Sequence, residues 1–312
     1  MLTRFVASIC RRPAGLFAAA VGLFTALWVS NGQASATPAG ETFREIQVQV
    51  VGSGRPVLMI PGLNSAGSVW AETCAALQPQ VQCHIVQLPG FAGAPASAEA
   101  REARFLETMR DRLLAYVAEK KLGPVVAMGH SLGGVLAMQM ALAQPDAVEL
   151  LAIVDSLPFL AGIRDPHANA ESARQMAAGM RAQMRSVSDE QFAAQTRASA
   201  FGMTRIAGGA ERVAQMGLAS DRHTTAQAMS ELWALDLRAE LAKLDKPVLV
   251  LGVWAAYEQY GSTLASTRAI FERQYAALRG VQIRMSERGY HFLMWDDPSW
   301  LVAEVRGFLG AR

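Results

Sequence analysis

Val125-Val126-Ala127-Met128-Gly129-His130-Ser131-Leu132-Gly133-Gly134 is the stretch on which the reading of this 312-residue chain turns. Its first four residues are apolar without interruption, which predicts a short strand buried on both faces. Residues Leu132 to Ala143 predict a helix that stops before Pro145. Between strand and helix, Gly129-His130-Ser131-Leu132-Gly133 matches G-x-S-x-G. A sharp strand-to-helix turn forces its central residue into strained backbone geometry, and flanking glycines relieve the crowding. Ser131 is then held above the sheet at a helix N-terminus. Partial positive charge and free N–H groups there favour a developing oxyanion. In this setting Ser131 is expected to be a nucleophile rather than a chance match in a loop.

Working outward, residues 43–51 alternate apolar and polar, as in a half-buried strand, and Gly52-Ser53-Gly54 turns it. Strands are expected at Pro56 to Ile60, His84 to Gln87, Pro124 to Met128 and Leu150 to Val154. Helices are expected at about 69–77 and 101–120, the second placing Phe105, Met109, Leu113, Tyr116 and Val117 on one face. This alternation predicts an α/β fold: a mostly parallel sheet with helices on both faces. It breaks at about residue 157. Residues 168–240 are helical, rich in Ala and Met, without a clear strand. Strands resume at Pro247 to Gly252 and Val281 to Met285, with a helix over 262–278 between them and a closing helix from Pro298 to Leu309. The expected division is a leader over 1–36, a core over 37–156 and 241–312, and an inserted helical lid over 157–240.

With these landmarks in place, the chain resembles the α/β-hydrolase superfamily over about residues 43–312. Ile60-Pro61-Gly62-Leu63 resembles the loop after an early strand that carries an oxyanion donor. Leu88-Pro89-Gly90-Phe91-Ala92-Gly93 resembles the family's Pro-Gly-x-Gly loop, and Gly289-Tyr290-His291-Phe292 resembles its catalytic histidine loop. The resemblance implies Ser131 as nucleophile, His291 as general base, and the Leu63 and Leu132 N–H groups as the oxyanion hole. Pro61-Gly62 stands where the family has His-Gly, so the backbone donor is kept and the loop shape departs. Imidazole suits the base role because it takes and returns a proton near neutral pH. His84, His167 and His223 lie elsewhere in the chain order, and His130 fills the variable position of the turn.

The third member of such a triad departs from the pattern. The family places an Asp after the strand that follows the lid, but the chain reads Leu251-Gly252-Val253-Trp254-Ala255-Ala256-Tyr257-Glu258, with Ala255 at that place. Asp155, just after the strand Leu150 to Val154, is the first choice for the acid; Glu258 is the alternative.

Hydrophobic residues make up 51% and charged residues 18%, a folded rather than disordered composition. The formal charge of +2 gives no reason to expect a nucleic-acid partner. Arg4, Arg11 and Arg12 precede an apolar run from Ala14 to Val29, and Ala34-Ser35-Ala36 follows, the order of a cleavable export leader. The run is short of the about 20 residues that span a bilayer. A periplasmic or secreted protein without a stable membrane span after cleavage is therefore expected. Cys74 and Cys83 would then meet an oxidising compartment, where a disulfide and two buried thiols both remain open readings.

Met176, Met180, Met184, Met203, Met216 and Met229 fall in the insertion with Phe192, Phe201 and Trp233. Adaptable thioethers suit an apolar acyl pocket, though lid helices need apolar faces in any case. No Cys/His set has metal-ligand spacing and no phosphate-binding Gly loop follows the first strand, so no metal or cofactor is expected. The expected partner is a small hydrophobic ester-like substrate, with the oligomeric state open. Hydrolysis of an ester, thioester or lactone leads. Acyl transfer, perhydrolysis or C–C hydrolysis would use the same residues, and the unfilled Ala255 position leaves room for a non-catalytic binding protein on the same fold.

Overall fold

The computed structural model describes residues 40–310, apart from Arg164 and Pro166. The expected leader and Cys10 lie outside the described residues. The strands are β1 Glu41–Phe43, β2 Ile46–Gly52, β3 Arg55–Ile60, β4 Val81–Gln87, β5 Val125–His130, β6 Val148–Val154, β7 Val248–Val253 and β8 Gln282–Ser286. They form one eight-stranded sheet in the order β1-β2-β4-β3-β5-β6-β7-β8. β2 runs antiparallel to β1 and β4, whereas every pairing from β4 across to β8 is parallel. The helices are α1 Ala71–Leu77, α2 Ala98–Glu102, α3 Phe105–Glu119, α4 Leu132–Ala143, α5 Ala170–Ser186, α6 Asp189–Ala200, α7 Gly209–Leu218, α8 Arg222–Ala234, α9 Leu264–Gln274, α10 Leu293–Asp296 and α11 Pro298–Gly310.

The continuous apolar runs of the central strands are explained by two cores. Leu58, Ile60, Val125, Ala127, Leu151, Ile153, Val248 and Val250 face one core. Their alternate neighbours Val57, Met59, Val126, Met128, Ala152, Val154, Leu249 and Leu251 face the other. Period-two alternation thus delivers apolar side chains to both faces, and helices cover each. Residues of α3, α4 and α8 fill the first core; those of α1, α10 and α11 fill the second. Truncating a side chain such as Met128 would cost about 2–5 kcal/mol by the usual large-to-small rule.

Three elements differ from expectation. The single strand over 43–51 is a hairpin, β1 and β2, turned at Arg44 and Glu45 with φ of 45° and 69°. Such turns normally advertise themselves with Asn or Gly, so Arg-Glu gave no signal. The helix over 101–120 is two helices, broken where Arg104 takes a φ of 55°. The helix over 262–278 is shorter, α9, with a 3₁₀ turn over Ala255–Tyr260 ahead of it. Cys74 of α1 and Cys83 of β4, both buried, are joined in a disulfide.

Four α-helices, α5 to α8, lie between β6 and β7. Asn169 and Ser188 cap α5 and α6 with reciprocal side-chain bonds. α8 packs on α2, α3 and α5, and its Ala228 and Leu232 enter the first core. It is therefore built into the body rather than laid over it. The apolar residues of the insert divide. Met203 and Met216 pack against the second core, whereas Met176 is 59% and Phe201 79% exposed. Those two do not wall a buried pocket. No helix among the described residues is long and apolar enough to cross a membrane.

Candidate active site

Ser131 follows β5 directly and stands at the N-cap position of α4, with φ 52° and ψ −119°. A non-glycine residue held there costs on the order of 1–3 kcal/mol, which the surrounding structure must offset. Part of the restraint is visible: the Ser131 N–H donates to the Val154 carbonyl at 3.0 Å. The two glycines of the motif are sterically required. A Cβ on Gly129 would overlap the Gly133 carbonyl, and one on Gly133 would overlap the Ile60 carbonyl. The elbow can close on β3 only because both are bare.

The loop after β3 comes directly against this turn. A Cβ on Gly62 would lie 2.9 Å from His130 Nδ1 and 3.2 Å from Ser131 Cβ. The loop's shape is held by Ser65 N–H donating to the Gly62 carbonyl at 3.2 Å and Thr225 Oγ1 donating to Asn64 Oδ1 at 2.7 Å. Among the described residues, the backbone N–H groups of Leu63 and Leu132 have no protein acceptor, which leaves both available. The absent family histidine has therefore not displaced the loop from the serine.

His291 Nδ1–H donates to Asp155 Oδ2 at 2.6 Å. Of the two candidate acids, the structure brings Asp155 to the imidazole, while Glu258 is exposed on the 3₁₀ turn after β7. The reason is topological. β6 and β7 are parallel neighbours, with Val154 opposite Leu251, so a residue just past the C-terminal end of β6 sits beside the C-terminal end of β7. The Asp155 N–H donates to the Leu251 carbonyl at 2.7 Å, and Asp155 Oδ1 accepts from the Val253 N–H at 3.3 Å. Its side chain is only 8% exposed. Burial, and then the Asp155 charge, push the Tyr275 hydroxyl above its ordinary range; it stays protonated and donates to the Ser156 carbonyl at 2.8 Å.

His130 plays a part that its place at the variable position of the motif did not reveal. It is 1% exposed, and its Nε2–H donates to the backbone carbonyl of His291 at 2.8 Å. The two imidazole rings lie 4.5 Å apart between centroids. Burial, followed by the nearby His291, holds the His130 pKa well below the usual histidine value of 6.5, so the ring is neutral and restrains the other's backbone. His84 sits apart, its Nδ1 2.9 Å from the Tyr116 hydroxyl. His167 and His223 lie in the insert.

A model of the Alpha/beta hydrolase family matches residues 57–304. The chain belongs to this family. Among solved structures of similar fold, an esterase from Exiguobacterium antarcticum superposes with a TM-score of 0.70 at 15% identity, covering 87% of this chain and 99% of that one. The enol-lactonase from Burkholderia xenovorans LB400 gives 0.68 at 16%, with the same coverage. Among curated relatives, the pimeloyl-acyl-carrier-protein methyl ester esterase of Vibrio atlanticus is 34% identical over 117 residues, 38% of this chain and 42% of that protein. The biotin biosynthesis bifunctional protein BioHC of Cellvibrio japonicus is 28% identical over 270 residues, 81% of this chain and 47% of that protein. The chain thus spans less than half the length of these curated relatives.

Proposed function

We propose that this hydrolase-family protein cleaves a carboxylic ester, thioester or lactone with an apolar acyl group, through a covalent acyl-enzyme on Ser131. The observation that carries this reading is the 2.6 Å bond from His291 Nδ1 to the buried Asp155, past the same C-terminal ends of the parallel strands that the strained Ser131 follows. With Nδ1–H committed to Asp155, the Nε2 lone pair of His291 is the one free to accept a proton.

In the proposed cycle, Ser131 Oγ attacks the substrate carbonyl and its proton passes to His291 Nε2. The Leu63 and Leu132 N–H groups hold the tetrahedral oxyanion, aided by the positive end of α4. Collapse expels the alcohol or thiol, which takes the proton from His291. Water then repeats the sequence on the acyl-enzyme, with His291 accepting its proton and returning it to Ser131. Asp155 stabilises the imidazolium in both halves. With Asp155 bonded to His291, the imidazole has an acid partner despite Ala255, which speaks against a non-catalytic binding protein.

The insert is read as a lid. Three contacts support this: Thr225 bonds to Asn64 in the loop after β3, Asp221 N–H donates to the Gly90 carbonyl at 2.7 Å, and Phe292 N–H donates to the Met203 carbonyl at 3.0 Å. Each joins the insert to a loop that follows a sheet strand, β3, β4 or β8; α8, though packed into the body, supplies two of these contacts through Asp221 and Thr225. Met203 and Met216, packed towards the second core, give its inner side the apolar character that an acyl chain would prefer. Export is part of the same proposal. It rests on the leader pattern of residues 1–36 and on the Cys74–Cys83 disulfide, which an oxidising compartment permits.

The test is turnover of p-nitrophenyl esters of graded chain length, together with lactones and thioesters, by the wild type, Ser131→Ala and His291→Ala. Expected is turnover in the wild type that rises with acyl length and falls to background in both variants. Turnover retained in Ser131→Ala would refute the reading.

A further inference from the structure

The approach to His291 is tied to the insert by more than packing. Asp296, the last residue of α10, is half-buried and collects three donors. Its Oδ2 accepts from the Tyr290 N–H at 2.9 Å. Its Oδ1 accepts from the Thr204 hydroxyl at 2.6 Å and from the Arg205 N–H at 3.0 Å. Two further bonds follow the same seam: Phe292 N–H to the Met203 carbonyl at 3.0 Å, and an Arg205 guanidinium N–H to the Arg288 carbonyl at 3.0 Å.

The residues on either side of His291 are therefore both held from the insert. Tyr290 is held through a carboxylate that the insert itself grips, and Phe292 directly by a carbonyl of the insert. We propose that Asp296 is a positioning residue that fixes the backbone of His291 to the inserted segment Met203–Arg205. The proposal rests on the reading of His291 as general base.

Chemistry makes a carboxylate fit this task. It offers two oxygens and accepts only, and all three groups facing it are donors. Bonds to a charged acceptor are shorter and stronger than neutral ones, so the junction is stiff. Thr204, 7% exposed, is shielded from competing water. The neighbouring Asp297 does different work: it accepts from Ser286 Oγ at 2.8 Å and from Arg288 at 3.1 Å, and so braces the end of β8 rather than the insert. A base displaced by about 1 Å loses on the order of a hundredfold in rate. A lid that reaches the base through Asp296 can thus set turnover as well as cover the substrate.

The test compares Asp296→Ala, Thr204→Val and Thr204→Ser, with kcat expressed per Ser131 site counted by fluorophosphonate labelling carried to its plateau, so that a slowly reacting serine is still counted. Counting sites removes the part of any loss that comes from unfolded protein. Expected for Asp296→Ala is at least a tenfold fall in kcat per site, KM for a short soluble ester within threefold of wild type, and a shifted acidic limb of the kcat/KM profile. Thr204→Val should lose about threefold and Thr204→Ser, which keeps the hydroxyl, should match wild type. A lowered Tm with unchanged kcat per site and an unmoved acidic limb overturns the proposal, since a purely structural acid would behave so. Should Asp296→Ala not fold, the threonine pair decides: equal kcat for Thr204→Val and Thr204→Ser overturns it. Turnover retained in Ser131→Ala or His291→Ala sinks the hydrolase reading and this proposal together. Background turnover in those two, with full activity in the Asp296 and Thr204 variants, sinks this proposal alone.

Discussion

Replacing Asp155 by Asn tests the triad where the sequence pattern was weakest. The carboxylate serves two donors at once, His291 Nδ1–H at 2.6 Å and the Val253 N–H at 3.3 Å. An amide has one oxygen for both. If that oxygen stays on Val253, the amide N–H₂ faces Nδ1 and forces the imidazole into the tautomer with its proton on Nε2, where it cannot accept from Ser131. If the oxygen turns to His291, the backbone N–H of Val253 meets another donor in a site only 8% exposed, and the imidazolium still loses its counter-charge. Loss of the acid in this arrangement costs about four orders of magnitude in kcat, or about 5.4 kcal/mol of barrier at 1.36 kcal/mol per decade. The assay is hydrolysis of a short p-nitrophenyl ester, with circular dichroism to confirm folding and Glu258→Gln as the comparison. Expected is a fall of three to four decades for Asp155→Asn and near wild-type turnover for Glu258→Gln. A folded Asp155→Asn enzyme within threefold of wild type would refute the assignment, and a large loss confined to Glu258→Gln would reverse it.

Two further outcomes concern stability. Replacing Cys74 and Cys83 together by Ser should lower unfolding free energy by about 2.5 kcal/mol, the loop-closure value for residues nine apart, measured by urea unfolding against the oxidised wild type; no change in the midpoint would count against the bond. His130 and His84 are both held below the usual value of 6.5, by burial first. Below that pH the unfolded chain binds protons that the folded chain refuses, so stability should fall as pH drops below 6.5 and level off only beneath the folded-state values. Urea midpoints at pH 7.5 and pH 5 should show the decrease; a midpoint that holds or rises on acidification contradicts it.

The parts that sequence made legible are those governed by local chemistry. The strand, the glycine-flanked turn and the helix Leu132–Ala143 follow from apolar continuity and from the need for bare Cα atoms at 129 and 133. What was not legible depends on strand neighbours. The sequence leaves Asp155 and Glu258 both open because the choice rests on β6 lying beside β7 in register, a relation that no local pattern carries. His130 sits at a position that tolerates many residues, and its bond to the His291 carbonyl spans 161 residues of chain. The same holds for Asp296 and Thr204, 92 residues apart. The hairpin at Arg44-Glu45 was hidden for a different reason: its turn uses positive φ without the residues that usually take it. Nothing in the sequence separates the insert's methionines, yet their environments differ, with Met176 open to solvent and Met216 packed inward.

Everything proposed for the site depends on Ser131 being the nucleophile. Incubation of the folded protein with a fluorophosphonate, followed by peptide mass spectrometry, tests it most directly. Expected is a single stoichiometric adduct on Ser131 that is absent from Ser131→Ala. A folded wild-type protein that takes no label, or a label that persists in Ser131→Ala, would contradict it.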